Sequence, residues 1–251
     1  MDCEKVYNRI TGNVKLFIQG NGFRKAVFGL SGGIDSSMAA YVLVDALGKE
    51  NVTALLLPEE KMKLKESKEC QQLILKELGI KHYEIAIDGF LEKFSSSEWT
   101  QSENALMNSK ARIRMLLLYN YANSGNALVV GTSNKSELLL GYGTKYGDLG
   151  CDLLPLGDLY KTELFELAEW KGLPKKVIER KPSAELCEGQ TDEEELGASY
   201  EKLDSMLKAI EEGKAEEELN KTFNKDLVER ILKRIKENKH KLNTPFIIKA
   251  R

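Results

Sequence analysis

The sequence predicts an α/β protein whose core is a parallel sheet covered by helices on both faces. Two observations lead to this fold class. Short, strongly apolar runs alternate along the chain with longer segments of helical periodicity, which is the pattern of βαβ units. The chain has 251 residues, of which 42% are hydrophobic and 30% are charged, so it can bury a sizeable core. This length fits one large domain or two small ones.

The predicted elements follow one another regularly in the first half of the chain. Strands are predicted at 25–30, 51–57, 82–87 and 127–130. Helices are predicted directly after the first strand, with Gly48 as a stop, and at 63–78, 103–123, 161–171, roughly 192–212 and 224–239. Residues 134–160 are rich in Gly and Asp and are predicted to be loop with one short helix. Polar loops of this length inside a compact domain are more often functional than idle.

Charge and composition argue against several classes of protein. Lys and Arg number 37 against 39 Asp and Glu, and the formal net charge of −2 lacks the footprint of a protein that mainly binds nucleic acid. No stretch of the sequence approaches the roughly 20 apolar residues that span a bilayer. The charged N-terminus is not typical of a secretory signal. We therefore expect a cytoplasmic protein without a membrane or nucleic-acid partner.

Few side chains are available for metal or nucleophilic chemistry of the common kinds. The cysteines have no CxxC or CxxH spacing, so free thiols are expected at Cys3, Cys70, Cys151 and Cys187. Cys3 is expected to lie in a mobile terminus. Two histidines, His82 and His240, leave little room for a histidine-based metal site or catalytic triad.

The most informative segment is 31–37 (SGGIDSS), which follows a predicted strand and precedes a predicted helix. Gly32 and Gly33 allow a sharp turn and a close approach of the backbone to a ligand, and the N–H groups of such a turn bind anions. No Lys follows the glycines, so this is not a Walker A loop. Asp35 would repel a bare phosphate, which predicts a divalent cation between them. An ordinary strand-to-helix turn with a capped helix remains the alternative.

Several strings of the sequence resemble known families. The SGGIDSS segment resembles the pyrophosphate-binding loop of the N-type ATP pyrophosphatases, which include NAD synthetase, GMP synthetase, asparagine synthetase and several tRNA-modifying enzymes. Three further segments and the pair His240-Lys241 resemble the NAD synthetase family: 108–115 (NSKARIRM), 131–161 (GTSNKSELLLGYGTKYGDLGCDLLPLGDLYK) and 181–204 (KPSAELCEGQTDEEELGASYEKLD). The sequence departs from the family pattern at Leu242, where Arg is usual, and at Leu149 and Cys151, which replace small residues.

The resemblance implies a fold and a reaction. The fold is one domain over residues 1–251 with a five-stranded, mostly parallel sheet, like that of the adenine nucleotide alpha hydrolases. The expected reaction is the ATP- and Mg²⁺-dependent amidation of deamido-NAD by ammonia through an adenylated intermediate, which gives NAD, AMP and pyrophosphate. The resemblance also implies a homodimer, for which the apolar helix around 111–122 is a candidate interface.

The resemblance further implies roles for individual residues. Metal binding is expected at Asp35 and Glu137, and catalytic roles are expected for Asp35 and Lys161. ATP contacts are expected at Gly29, Leu30, Ser31, Gly32, Gly33, Ile34, Asp35, Ser36, Thr132, Lys161 and Ser183. Deamido-NAD contacts are expected at Arg112, Lys145, Asp152, His240 and Lys241. Without the resemblance, a lone Lys or Arg is more simply a surface charge and Glu137 a solvated helix carboxylate.

Position in the sheet supports the metal pair independently. Asp35 follows the strand at 25–30, and Glu137 follows the strand at 126–131. If these strands are neighbours at the switch point of the sheet, the loops at their carboxyl ends meet in one crevice.

Other functions remain open from the sequence alone. A GMP synthetase-type ATP pyrophosphatase shares the SGGIDSS loop but should not carry the TKYGD and Q.DE.ELG strings. A tRNA thiolase or lysidine synthetase would need a more basic surface, and a nucleotide sensor would hold ATP without turnover. No cysteine lies in a glutaminase-like string, so ammonia is the expected nitrogen source.

Two charged segments are interpreted as ordinary helix surface. The basic segment 233–241 is expected to be a solvated amphipathic helix near an anionic dinucleotide rather than a nucleic-acid patch. The acidic run 192–195 is expected to be the first turn of a helix capped by Thr191 or Asp192.

Overall fold

A parallel sheet forms the centre of the molecule. The computed structural model describes residues 1–62, 65–94, 98–183 and 191–249. Its strands are β1 (Lys25–Gly29), β2 (Val52–Leu56), β3 (Lys81–Glu84) and β4 (Ala127–Val130). They pair in the order β3-β2-β1-β4, and every pair is parallel. The register places Ala26 of β1 opposite Val52 on one side and Leu128 on the other.

Every helical segment predicted from the sequence contains a helix, and four of the described helices were not predicted. The helices are α1 (Cys3–Gly20), α2 (Ile34–Leu47), α3 (Lys65–Leu78), α4 (Asp88–Phe94), α5 (Glu103–Gly125), α6 (Lys135–Leu140), α7 (Lys161–Lys171), α8 (Lys175–Ile178), α9 (Asp192–Leu196), α10 (Tyr200–Glu211), α11 (Glu216–Thr222) and α12 (Lys225–Asn238). The four that were not predicted are α1, α4, α8 and α11. The predicted helical stretch 192–212 is two helices, because Gly197 ends α9 with φ +75°. Thr191 caps α9 with its side chain, as predicted. None of the described helices combines the length and the apolar character needed to cross a membrane.

The two faces of the sheet bury different helices. Ala26 and Phe28 of β1 lie in the apolar cluster that contains α1, α2 and α7. Val27 points to the opposite face and packs in the cluster that contains Ile113 and Ala122 of α5. This alternation follows from the two-residue period of a strand, and it confirms the predicted sheet with helices on both faces. A third apolar cluster joins α6, α10, α11 and α12 beside the sheet.

The predicted count of five strands is wrong for the described residues, in which the sheet has four. The place of a fifth strand is taken by a single parallel bridge between Val130 and Leu153. The physical reason is the Asp152 side chain, whose Oδ2 accepts the Val129 N–H at 2.8 Å. A side chain therefore occupies a backbone donor that a regular ladder would use, and pairing stops after one bridge.

The N-terminal segment also differs from expectation. Residues 3–20 form helix α1, which the sequence analysis did not predict, and its Tyr7, Val14 and Ile18 are buried against the sheet layer. Cys3 is only 8% exposed, so the expected mobile terminus is wrong for this residue. Cys3, Cys70 and Cys151 are free thiols, whereas Cys187 lies outside the described residues.

Candidate active site

A cavity of about 970 Å³ opens at the carboxyl ends of β1 and β4. The chain leaves β1 towards β2 and β3 on one side, and β4 lies on the other side, so these two strands form the switch point of the sheet. The strands predicted at 25–30 and 126–131 are indeed neighbours, since β1 and β4 pair directly. Of the residues expected to contact ATP, all but Gly32 line this cavity.

The loop between β1 and α2 is folded by its own side chains. The Ser31 Oγ accepts the Gly33 N–H at 3.2 Å, and the Ser36 Oγ accepts the Ser31 N–H at 3.2 Å. Gly32 has φ +85°, and a Cβ at this position would lie 2.6 Å from the Ser67 carbonyl oxygen of α3. Gly32 therefore packs against α3, where only glycine fits, while its neighbours Ser31 and Gly33 line the cavity.

A charged centre lies where this loop meets the end of β4. The Lys161 Nζ is 2.5 Å from the Asp35 Oδ2 and 3.6 Å from the Glu137 Oε1. The Asn134 Nδ2 donates to the other Asp35 oxygen at 2.8 Å. Asn134 and Glu137 also form a capping box at the start of α6, which fixes the direction of the Glu137 side chain.

Burial and neighbouring charges shift the pKa values of Lys161 and Glu137. Lys161 is 1% exposed. Desolvation alone would lower the pKa of Lys161, but the Asp35 and Glu137 carboxylates outweigh it and raise that pKa, so the ammonium stays charged. Burial raises the pKa of Glu137 well above its ordinary value, and the nearby Asp35 carboxylate adds to the effect, while Lys161 opposes it. The lysine is thus the group that lets two carboxylates share one half-buried site.

The donor set fits Mg²⁺. Asp35 and Glu137 present carboxylate oxygens to the same cavity wall and both contact Lys161, so they lie close together. Mg²⁺ prefers hard oxygen ligands and is commonly held by one or two carboxylates together with substrate phosphates. The raised pKa of Glu137 is also the sign of a carboxylate pair that a cation would relieve.

The residues expected to contact deamido-NAD lie mostly at the rim. Among them only Lys241 lines the cavity, and its Nζ donates to the Gly141 and Gly143 carbonyl oxygens at 2.8 and 2.9 Å. Arg112 donates to the Lys145 carbonyl oxygen at 3.3 Å, and the Lys145 Nζ donates to the His240 carbonyl oxygen at 2.7 Å. These four residues therefore form one connected group.

Asp152 stands apart from that group. Its side chain accepts from the Tyr119 hydroxyl at 2.9 Å and from the Val129 N–H, and it is exposed at the edge of the sheet.

Two arginines of the cavity wall were missed by the sequence analysis. The Arg180 Nη2 donates to the Ser67 Oγ at 3.0 Å, and its Nη1 lies 4.0 Å from the position that a Cβ on Gly33 would take. The Arg114 Nε donates to the Leu57 carbonyl oxygen at 3.0 Å. Burial lowers the pKa of both guanidinium groups. The sequence signal for Arg180 was its place directly before the 181–204 string.

Comparison with known proteins identifies the family. A sequence model of the family described as NAD synthase matches residues 6–245. An NH(3)-dependent NAD(+) synthetase from Fusobacterium nucleatum is 42% identical over 253 residues, which cover 100% of this chain and 98% of that protein. The chain belongs to the NAD synthase family.

Solved structures of the family have the same fold. An NH3-dependent NAD synthetase from Campylobacter jejuni, in complex with the nitrate ion, has a TM-score of 0.85 and 37% identity, over 99% of this chain and 100% of that one. An NMN synthetase from Francisella tularensis has a TM-score of 0.88 and 33% identity, over 99% of both chains.

Family membership establishes the reaction. The NAD synthases are ligases that use ATP and Mg²⁺ to amidate deamido-NAD with ammonia, and the chain is a ligase of this kind. The reaction and cosubstrate predicted from the sequence strings are confirmed. The GMP synthetase, tRNA-modifying and sensor alternatives are set aside.

Proposed function

We propose that the amidation takes place at the charged centre of Asp35, Glu137 and Lys161, and that the loop 31–36 holds the phosphates of ATP beside it. The observation that carries the proposal is the position of the only described lysine within 4 Å of both carboxylates, at the switch point of the sheet and at the mouth of a glycine-rich loop. Switch-point crevices are where open α/β sheets bind their ligands.

Each residue of the centre has a distinct task in this proposal. Asp35 and Glu137 would hold the Mg²⁺ ion, which when bound would neutralise phosphate charge. Lys161 stabilises the negative charge that develops at the α-phosphate, and Arg180, whose Nη1 lies 4.0 Å from the position of a Cβ on Gly33, faces the departing pyrophosphate. Thr132 and Ser183 offer hydroxyls to the nucleotide from the same cavity.

The proposed chemistry has two steps. A carboxylate oxygen of the nicotinate ring of deamido-NAD attacks the α-phosphorus of ATP, and the bond to the bridging oxygen breaks with release of pyrophosphate. The nitrogen of ammonia then attacks the carbonyl carbon of the adenylate, the bond to the AMP oxygen breaks, and the nitrogen loses a proton to give the amide. The protein contributes positioning and charge stabilisation to both steps.

We propose that the rim group binds the dinucleotide. Arg112, Lys145, His240 and Lys241 form one connected group that carries three cationic side chains and reaches the cavity through Lys241, which suits the pyrophosphate and carboxylate of deamido-NAD. Asp152 remains a predicted contact through its exposed carboxylate. The two oxygens of that carboxylate already accept hydrogen bonds from Tyr119 and Val129, so a second role in holding the sheet edge is part of this proposal.

We also propose that residues 1–251 act as one unit, as a homodimer and in the cytoplasm. The family model covers residues 6–245 without interruption, which supports a single unit. The homodimer is the assembly that the family resemblance implies, with α5 as the helix expected at the interface. Support for the location comes from the substrates, since ATP and deamido-NAD are intracellular nucleotides.

The decisive experiment measures AMP and NAD formed from ATP, deamido-NAD and an ammonium salt. Nicotinate mononucleotide should be tested in parallel, because one structural relative is described as an NMN synthetase. We expect kcat/KM to be at least about tenfold higher with deamido-NAD. A preference for the mononucleotide would contradict the proposed use of the rim group, and normal turnover by both Asp35→Asn and Glu137→Gln would contradict the proposed centre.

A further inference from the structure

Helix α7 begins at Lys161, and its start is held by side chains from other helices. Tyr160, the residue before the helix, is not one of the short residues that usually cap, and its hydroxyl bonds Glu211 instead. The first N–H groups of a helix have no partner within the helix. Here the Lys161 N–H donates to the Ser136 Oγ at 2.9 Å, and the Thr162 N–H donates to the Asp204 Oδ2 at 2.8 Å.

The Asp204 carboxylate connects three helices through these bonds. Its other oxygen accepts from the Ser136 Oγ at 2.5 Å, so both of its oxygens are used. Asp204 lies on α10, Ser136 on α6 and Thr162 on α7, and the Asp204 side chain is only 2% exposed. The negative charge also faces the N-terminal end of α7, where the helix dipole favours it.

Packing alone does not explain a carboxylate at this place. The neighbouring residues of α10, Leu203, Met206 and Leu207, are buried in an apolar cluster, and an apolar residue at position 204 would fill the same kind of space. A buried charge is costly unless it is fully hydrogen-bonded, and the Asp204 carboxylate meets that condition through the Ser136 hydroxyl and the Thr162 N–H. What distinguishes this position is therefore the pair of groups that the carboxylate bonds, and not the packing of its neighbours.

The partners of Asp204 are the chain neighbours of the proposed catalytic and metal-binding residues. Ser136 directly precedes Glu137, and Thr162 directly follows Lys161. Through these bonds Asp204 sets the position of the Glu137 carboxylate on α6 and of the Lys161 ammonium on α7. The distances that it controls are the 2.5 Å and 3.6 Å contacts of the Lys161 Nζ with Asp35 and Glu137.

We propose that Asp204 is a positioning residue for the amidation reaction, acting through Ser136 and the start of α7 on Lys161. This inference rests on the proposed function of the charged centre. Asp204 itself does not line the cavity, whereas Lys161 and Glu137 do. Its effect therefore belongs to the placement of the ammonium and not to contact with substrate.

The test uses Asp204→Asn in the full-length protein. The amide has nearly the same size, but one of its two ends is a donor, so either the Ser136 hydroxyl or the Thr162 N–H loses its acceptor. We expect kcat to fall by about 10- to 100-fold, the usual effect of releasing a group that orients a catalytic residue, while KM for ATP changes by less than about threefold. Ser136→Ala should reproduce the loss, and the double variant should be no slower than about the slower single variant.

Glu163→Gln is the matched control. Glu163 is a carboxylate at the same end of α7, and its Oε2 accepts the Tyr160 N–H at 3.0 Å, but it makes no bond to Ser136 or Thr162. Both variants remove a charge that stabilises the same helix, so thermal unfolding should shift in both. We expect kcat of Glu163→Gln to stay within about twofold of the unmodified protein, because the glutamine amide oxygen can still accept the Tyr160 N–H, whereas asparagine at position 204 cannot accept from both of its partners.

The outcomes separate this inference from the proposed function. If Asp204→Asn and Ser136→Ala keep normal kcat while Lys161→Ala is inactive, the inference is overturned and the proposed centre stands. If Asp204→Asn and Glu163→Gln lose kcat equally, Asp204 only caps a helix and the inference is overturned. If Lys161→Ala is fully active, the proposed role of Lys161 fails and the inference fails with it. Ser136→Ala decides the matter should Asp204→Asn not fold.

Discussion

Replacing Lys161 with methionine tests both the stability and the chemistry of the charged centre. Methionine is close to lysine in length, so Lys161→Met keeps most of the packing, including the side of the Tyr200 ring that lies 5.3 Å from the Nζ. It removes the only charge that the described residues place between Asp35 and Glu137. The variant therefore isolates the electrostatic contribution of the ammonium.

The expected loss of stability follows from burial. Removing one partner of a buried ion pair leaves an uncompensated charge and costs about 3–5 kcal/mol. Asp35 keeps its bond from Asn134, and its side chain is 19% exposed, so the lower end of that range, about 3 kcal/mol, is the better expectation. For a protein of this size each kcal/mol lowers Tm by about 2–4 °C, which gives a fall of about 6–12 °C. Turnover should fall by at least about 10²-fold, because charge developing at the phosphate loses its partner.

The pH dependence of the loss has a definite sign. Burial and Asp35 raise the pKa of Glu137 in the folded protein above its ordinary value, and Lys161 opposes this shift. In Lys161→Met the pKa of Glu137 rises further. A carboxyl group whose pKa is higher in the folded state favours folding when protonated, and that contribution is lost as the pH rises through the raised pKa. The difference in Tm between Lys161→Met and the unmodified protein should therefore be constant at acid pH and widen as the pH rises above the raised pKa that Glu137 has in the unmodified protein.

The control is another lysine of the same helix. The Lys171 Nζ is 2.6 Å from the Asp45 Oδ2, but the two side chains are 24% and 42% exposed. Lys171→Met should cost no more than about 1 kcal/mol and leave kcat unchanged, since solvent screens the pair. Differential scanning calorimetry and steady-state AMP release on both variants make the comparison. Equal losses of Tm for the two variants would contradict the stabilisation of Asp35 and Glu137 by Lys161. Normal kcat in Lys161→Met would contradict its role in turnover.

Three further outcomes are expected. Gly32→Ala should lower the free energy of unfolding by more than the roughly 1–2 kcal/mol that a positive φ costs an alanine, because the added Cβ would clash with the Ser67 carbonyl oxygen. Gly22→Ala is the control, since Gly22 has φ +81° and no atom near the place of a Cβ. Equal shifts of the two variants in calorimetry would contradict the clash. Arg180→Gln should raise KM for ATP by about tenfold or more with little change for deamido-NAD, and the reverse pattern in initial-rate kinetics would place Arg180 elsewhere. At limiting ammonium the rate should rise from about pH 7 to about pH 9, because NH3 and not NH4⁺ is the nucleophile, and glutamine free of ammonia should give little NAD in the same assay.

The meeting of Asp35 and Glu137 could be predicted from the sequence because it depends only on where two strands lie and on their order in the sheet. The apolar runs at 25–30 and 127–130 could be recognised directly, and the loops at the carboxyl ends of adjacent parallel strands must meet. The convergence of Asp35 and Glu137 follows from these two facts. The fifth strand could not be excluded in the same way, because it depends on the Asp152 side chain taking a single backbone donor of β4.

Long-range side-chain contacts account for most of what the sequence did not reveal. The Lys161 ammonium reaches Asp35 from the start of α7, where Ser136 and Asp204 accept hydrogen bonds from the first two N–H groups, and no local pattern encodes that meeting of three helices. Helix α1 was missed for a different reason. Its signal was present, with Asp2 as an N-cap and buried Tyr7 at helical spacing from Val14, but the segment is too polar on average to stand out as a core helix.

The arrangement of charges explains how one lysine can serve the protein with and without ligand. In the absence of ligand the ammonium offsets the repulsion between Asp35 and Glu137, which otherwise would have to share a half-buried site as two anions. In the proposed function the two carboxylates would hold Mg²⁺ and no longer depend on Lys161, which would leave the ammonium to face phosphate oxygens. On that proposal no charge is buried without a partner in either state, so the site can be held rigid before the substrate arrives. The rigidity would then come from outside the centre, because Asp35, Glu137 and Lys161 would exchange partners during the cycle, whereas the bonds among Asp204, Ser136 and the first N–H groups of α7 involve none of their side chains.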